Sequence, residues 1–152
     1  MPDERGFSLL EALIATAILV VALVSLAHLF GLAIRNNIAA RSTTTATVLA
    51  QQKLEELRAL TWAELSQSPA SALQENAPGF VDYVDQFGEN RGGGADPPAG
   101  AIYTRRWAID PLTASPDTLV IQVRVMRTAV RSAADRLPEE ARLITARTRK
   151  PT

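Results

Sequence analysis

The chain has no cysteine among its 152 residues. Disulfides, thiolate catalysis and zinc–cysteine sites are therefore excluded, and cysteine usage is silent on the redox compartment. Histidine is almost missing as well, and the one present, His28, lies inside an apolar run. A Ser-His-Asp triad in a soluble domain is out of reach. So is a histidine-rich metal site, and neither an enzyme activity nor a cofactor is expected. Charge is absent where its absence matters most: no Asp, Glu, Lys or Arg occurs from residue 12 to residue 34.

What charge there is divides unevenly. Residues 1–100 carry 6 Lys/Arg against 11 Asp/Glu, a net of −5. Residues 101–152 carry 10 against 5, a net of +5. The length suits one domain with an appended segment. That segment is the apolar run, whose 23 uncharged residues would cover about 34 Å as a helix, enough to cross a hydrocarbon core. It is rich in Ala and Leu and holds no Pro, and no Gly before Gly31, so helix is its natural state.

Three readings of this segment compete. A secretory signal peptide cut after Ala27 has the small-x-small form Ser25-Leu26-Ala27. Against it, the leader MPDER holds two acids and one Arg, and Glu11 interrupts the start of the apolar region. A plain transmembrane anchor leaves Glu11 unexplained, because an intramembrane carboxylate costs about 2.5–3.5 kcal/mol at the bilayer centre and less toward the interface. The third reading uses the whole string GFSLLEALIATAIL.

That string closely resembles the type IV prepilin processing site. The resemblance implies that a prepilin peptidase cuts between Gly6 and Phe7 and methylates the new amine on Phe7. The family's glutamate, four residues beyond that Phe, falls on Glu11, and the commonest pattern is altered only by Ser8 in place of Thr. It also implies a role for Glu11. In an assembled fibre the apolar helices bundle away from water, so the Phe7 ammonium and the Glu11 carboxylate would both be buried charges. Removing one partner of such a pair typically costs about 3–5 kcal/mol. A neighbour's Glu11 facing a subunit's Phe7 amine would then select axial register, as a docking device and not a catalytic acid. His28 stands near the place where many pilins have a Pro and is read as a neutral helix-face residue, and Gly31 offers a mild break.

Beyond Arg35 the helical pattern turns amphipathic. Ile38, Thr45, Leu49, Leu57 and Leu60 fall near one face, flanked by Val48 and Leu54. The helix is expected to end between residues 61 and 68, since Pro69 disfavours its continuation. Residues 66–100 read as a loop region. Within it FVDYVDQF is a short strand or strained loop, and GENRGGGADPPAG is a Gly/Pro-rich surface loop. Asp82, Asp85 and Glu89 lack EF-hand spacing, and no metal is assigned to them.

The last third alternates with period 2. Tyr103, Trp107 and Ile109 point one way, as do Leu119, Ile121, Val123 and Val125, and a third strand brings Leu143 or Ile144 inward. Prolines at 111, 116 and 138 bound these runs, which predicts an antiparallel sheet with one face covered and one wet. The fold expected is α+β: a long N-terminal helix whose second half packs on a small antiparallel sheet. The expected divisions are a leader (1–6), a membrane and filament-core half-helix (7–35) and a periplasmic head (36–152). The head comprises an amphipathic helix (36–65), the loop region (66–100) and the sheet (101–150).

Eight arginines crowd the strands and their ends: Arg105, Arg106, Arg124, Arg127, Arg131, Arg142, Arg147 and Arg149. One reading is a DNA-contacting patch. The other is solvated strand faces and complementarity to the acidic stretch between Glu55 and Asp96, favoured because no aromatics interleave the polar positions. The resemblance is strongest over residues 5–35 and continues to about Leu60, where LAQQKLEELRAL is similar to minor pilins and to the I-type minor pseudopilin of type II secretion. It implies a structural subunit that initiates or caps a pilus or secretion pseudopilus. The expected partners are the prepilin peptidase, other pilin or pseudopilin subunits and the bacterial inner membrane, crossed once with the head in the periplasm. The alternative is a single-span, signal-anchored periplasmic protein whose head binds a ligand or nucleic acid.

Overall fold

A computed structural model describes residues 8–128 and 141–149. One helix, α1 (Leu9–Ala59), precedes five strands: β1 (Val81–Val84), β2 (Asn90–Gly92), β3 (Tyr103–Leu112), β4 (Ser115–Arg127) and β5 (Ala141–Thr148). The strands form one sheet in the order β2-β1-β3-β4-β5, and every pairing is antiparallel. The architecture is α+β, as the alternation of helical and strand periods predicts. The chain divides into two compact units at Arg41/Ser42.

In the first unit, the α1 residues expose Leu, Ile, Val and Phe, with Leu13, Ile18, Val24 and Phe30 each at least 61% accessible. No other described element of that unit covers them. By length and composition the helix can cross a membrane. Gly6 and Phe7 lie outside the described residues, as does Arg131.

In the second unit, strand alternation sends Tyr103, Trp107 and Ile109 of β3 to the same face as Leu119, Ile121, Val123 and Val125 of β4. The α1 residues Ala46, Leu49, Ala50, Leu54 and Leu57 complete that core. The β4–β5 register sets Val123 opposite Leu143, so Leu143 packs on the core while Ile144 points away at 60% exposure.

The helix face differs from the one expected. Leu49, Leu54 and Leu57 are buried, but Thr45 is exposed, as are Ile38, Val48 and Leu60. The line against the sheet is Ser42, Ala46, Leu49, Ala50, Leu54 and Leu57. Small side chains at 46 and 50 share one core with the large Tyr103 and Trp107 of β3. The expected face shares Leu49, Leu54 and Leu57 with the buried one and is offset from it at Ile38, Thr45, Val48 and Leu60.

Two further expectations change. The helix ends at Ala59, earlier than 61–68. The Glu64 carboxylate accepts hydrogen bonds from both the backbone N–H and the hydroxyl of Thr61, each 2.7 Å, and closes a separate turn there. These bonds hold the Glu64 pKa below its usual value. From β5, Arg147 donates to the Leu60 carbonyl at 2.6 Å, satisfying an acceptor that the helix end leaves open. The stretch 66–100 holds β1, within the short strand that FVDYVDQF suggested, but also β2 where a loop was expected, and parts of it cover the second face of the sheet. Ala72 and Tyr83 are fully buried there, and the Tyr83 hydroxyl donates to the Gly94 carbonyl at 2.9 Å. Arg106 donates to Asn76 Oδ1 and to the Gln74 carbonyl, and Arg124 to the Leu73 carbonyl at 3.1 Å. The sheet is therefore covered on both sides at β1 and along most of β3, while the edge strand β2 is exposed throughout and β5 alternates between half-buried and exposed.

Candidate functional site

In the first unit the site is the start of α1. Ser8 is the N-cap: its Oγ accepts the Glu11 N–H at 3.2 Å, and its carbonyl accepts the Ala12 N–H at 3.1 Å, the first helical bond. Glu11 is thereby placed at the third helical position with its carboxylate exposed. An anion in the first turn is favoured by the unpaired N–H groups and the helix dipole. Among the described residues no group of three or more His, Cys, Asp or Glu could hold a metal. His28 is an exposed residue of the apolar helix.

In the second unit charge is gathered inside the fold. The β1–β3 register sets Asp82 opposite Arg105. Arg105 Nε and Nη2 donate to the two Asp82 oxygens at 2.7 and 2.9 Å, with the two residues 2% and 4% exposed. Lys53 on α1 completes the cluster, with Nζ 3.1 Å from Asp82 and 4.1 Å above the centre of the Trp107 ring. Arg105 was readable from the sequence: it shares parity with Tyr103 and Trp107, and an inward arginine demands a carboxylate.

The next acid builds a turn. Asp85 Oδ1 accepts the N–H groups of Phe87 and Glu89 at 2.8 and 3.0 Å, and Arg91 grips Oδ2 at 2.6 and 3.0 Å. Burial pushes the Asp85 carboxyl up, but the Glu89 N–H, the Arg91 guanidinium and the Phe87 N–H together hold it below its usual value. Gly88 takes φ +87° in this turn, a conformation that favours glycine. The residue presented at the tip is Phe87, 77% exposed. Asp82, Asp85 and Glu89 thus do not converge: the first serves the core, the second the turn, and the third contributes backbone to it.

The arginines of the sheet follow the same logic. Arg105 binds Asp82, Arg106 and Arg124 hold the 73–76 segment, Arg147 binds the Leu60 carbonyl, and Arg142 donates to Gln122 at 2.6 Å.

Residues 1–27 match the family model of the prokaryotic N-terminal methylation motif. That motif supports a type IV pilin-like protein. No curated protein and no solved structure matches the chain. The match takes in Gly6, Phe7, Ser8 and Glu11 and ends one residue before His28. It implies a substrate of a prepilin peptidase that assembles with other pilin subunits, and the apolar α1 fits membrane anchoring.

Proposed function

We propose that the chain is a minor pilin or pseudopilin, a non-enzymatic structural subunit that initiates or caps a type IV pilus or type II secretion pseudopilus. Residues 1–6 are its leader, 7–35 its membrane and filament-core helix, and 36–152 its periplasmic head. The observation that carries this reading is the coincidence of the methylation motif over residues 1–27 with an uncharged helix whose apolar side chains have no cover in their own unit. Such a surface is stable in lipid or against like helices, and not in water. The small head favours a minor, tip-associated subunit over the bulk fibre subunit. The DNA-binding alternative is weakened because Arg105, Arg106, Arg124, Arg142 and Arg147 all have acceptors within the chain.

Mass spectrometry of the mature N-terminus is the direct test, with N-methyl-Phe7 expected. A chain beginning at Met1 or at His28 would instead identify an anchor or a secreted protein. Gly6→Arg should abolish maturation, since a small residue lets the scissile backbone approach the peptidase closely. A Gly6→Arg protein that still begins at Phe7 would sink the processing assignment.

A further inference from the structure

The two edges of the sheet are built differently. At one, β2 is three residues long, and its register against β1 slips between Tyr83 and Val84. Short, irregular edges of that kind resist pairing with another chain. At the other, β5 runs eight residues in unbroken register with β4 and contains no Pro or Gly. The Arg149 N–H donates to the Asp117 carbonyl at 2.8 Å. By antiparallel alternation the odd-numbered residues of β5 then turn their backbone groups toward β4, and Arg142, Ile144, Ala146 and Thr148 turn theirs away from it. Among the described residues no backbone group meets these outward N–H and C=O groups. The side chains of the same residues are exposed, Ile144 by 60%.

Positive charge gathers beside this edge. Arg106, Arg124 and Arg142 stand directly opposite one another across β3, β4 and β5, an arrangement that like charges disfavour. Burial and the Arg124 charge outweigh the Glu75 carboxylate and hold the Arg106 pKa below its usual value. Among the described residues, Arg106 and Arg142 donate to neutral oxygens of Leu73, Gln74, Asn76 and Gln122, which leave the charge uncancelled. Residues 141–149 add Arg147 and Arg149 and hold no Asp or Glu.

We infer that β5 accepts a sixth strand, and that its occupant is an extended, net acidic segment of another protein. The open edge selects a peptide. It presents donors and acceptors in alternation, whereas a nucleic acid or lipid phosphate supplies acceptors alone and leaves the outward carbonyls unmet. The arginine row selects acid, placed to face Arg142. A second copy of β5 would instead bring three more arginines to the edge. Main-chain bonds supply the affinity, and contacts to Arg142 and Ile144 set the register. This inference goes beyond the filament-subunit reading and does not depend on it.

The test uses the full-length protein in its host membrane, with photoreactive p-benzoylphenylalanine in place of Ile144, whose side chain stands beside a residue paired across the edge. Mass spectrometry identifies the cross-linked peptide. The expected product joins position 144 to a segment of a different protein that carries more Asp and Glu than Lys and Arg. Any other product, or none, overturns the inference. Ala146→Pro removes an outward N–H and no bond to β4, so the melting temperature should hold while the cross-link yield falls about tenfold. Arg142→Glu should lower the yield as much by repulsion, and Arg142→Lys should keep most of it. Unchanged yield in a folded Ala146→Pro protein overturns strand addition, and unchanged yield in Arg142→Glu overturns the acidic partner. If Ala146→Pro lowers the melting temperature, the cross-linked sequence and Arg142→Glu decide the matter.

Discussion

The two units of this chain handle charge in opposite ways. In the first, charge is excluded from residues 12–34, and Glu11 stands exposed just before them in the helix start that Ser8 caps. In the second, three charged side chains from α1, β1 and β3 are brought together inside, with Asp82 and Arg105 almost wholly buried. A buried charge needs a partner, and the head finds its partners within one chain. The helix start offers Glu11 no such partner among the described residues. The difference separates a region whose charges are paired within the chain from one whose apolar surface and exposed acid suit lipid or other helices.

The largest test of that separation is to cut the two regions apart. A protein of residues 36–152 should be soluble and folded, because Ala46, Leu49, Ala50, Leu54 and Leu57 remain to cover the sheet. One beginning near residue 62 should aggregate, because the Leu119, Ile121, Val123 and Val125 face would be open. Equal solubility of the two, by gel filtration, would show that the core is not where the structure puts it.

Asp82→Ala should destabilise the soluble head by about 3–5 kcal/mol, since the Arg105 guanidinium would be left buried without its carboxylate. Urea unfolding measures this, and maturation of the full-length protein at Phe7 should be unaffected. A loss below about 1 kcal/mol, the level of an exposed pair, would mean that water reaches the cluster.

Glu11→Leu should behave in the reverse manner. Membrane insertion should be equal or slightly better, because an intramembrane carboxylate is lost. Incorporation into filaments should fall more than tenfold, because a Phe7 ammonium would enter the helix bundle unpaired. Glu11→Asp should be intermediate, with the charge kept and the reach shortened. Wild-type incorporation of the Leu variant would dispose of the charge-pair account.

The smallest expected effect is a pH dependence of the hairpin. The folded-state pKa of Asp85 is depressed, so its contribution to stability is present above the unfolded value of about 3.9 and is lost as pH falls through the folded value. Amide exchange at Phe87 and Glu89 should be steady above about pH 5 and accelerate below about pH 4 relative to intrinsic rates. Asp85→Asn should remove that acid step, and an unchanged step would place its origin in another carboxylate.

Much of this was legible before any coordinates. The uncharged run over 12–34 and the GFSLLE string announce a membrane-competent helix and the N-terminal methylation motif. The alternation at 119–125 announces a strand with one apolar face. These signals are local: periodicity and a short motif are complete within a few turns of chain. The rotation of α1 was not legible in that way, because Ala46 and Ala50 carry little apolar signal of their own and are seen to be core only once the sheet is in place. Arg105 was half legible, its parity showing it inward but not showing that Asp82 and Lys53 would meet it.

By itself, then, the sequence determined the long helix, the strands of the last third, the absence of thiol chemistry and of any histidine outside the apolar run, and the motif over the first 27 residues. Only the tertiary structure decided which arginines are used within the fold, which face of α1 is covered, and that Phe87 stands outward on a braced turn. The physical reason is range. Helical and strand periods depend on neighbours a few residues away, whereas the pairing of Asp82 with Arg105, 23 residues apart, and of Arg147 with the Leu60 carbonyl, 87 residues apart, depends on sheet register and helix docking together.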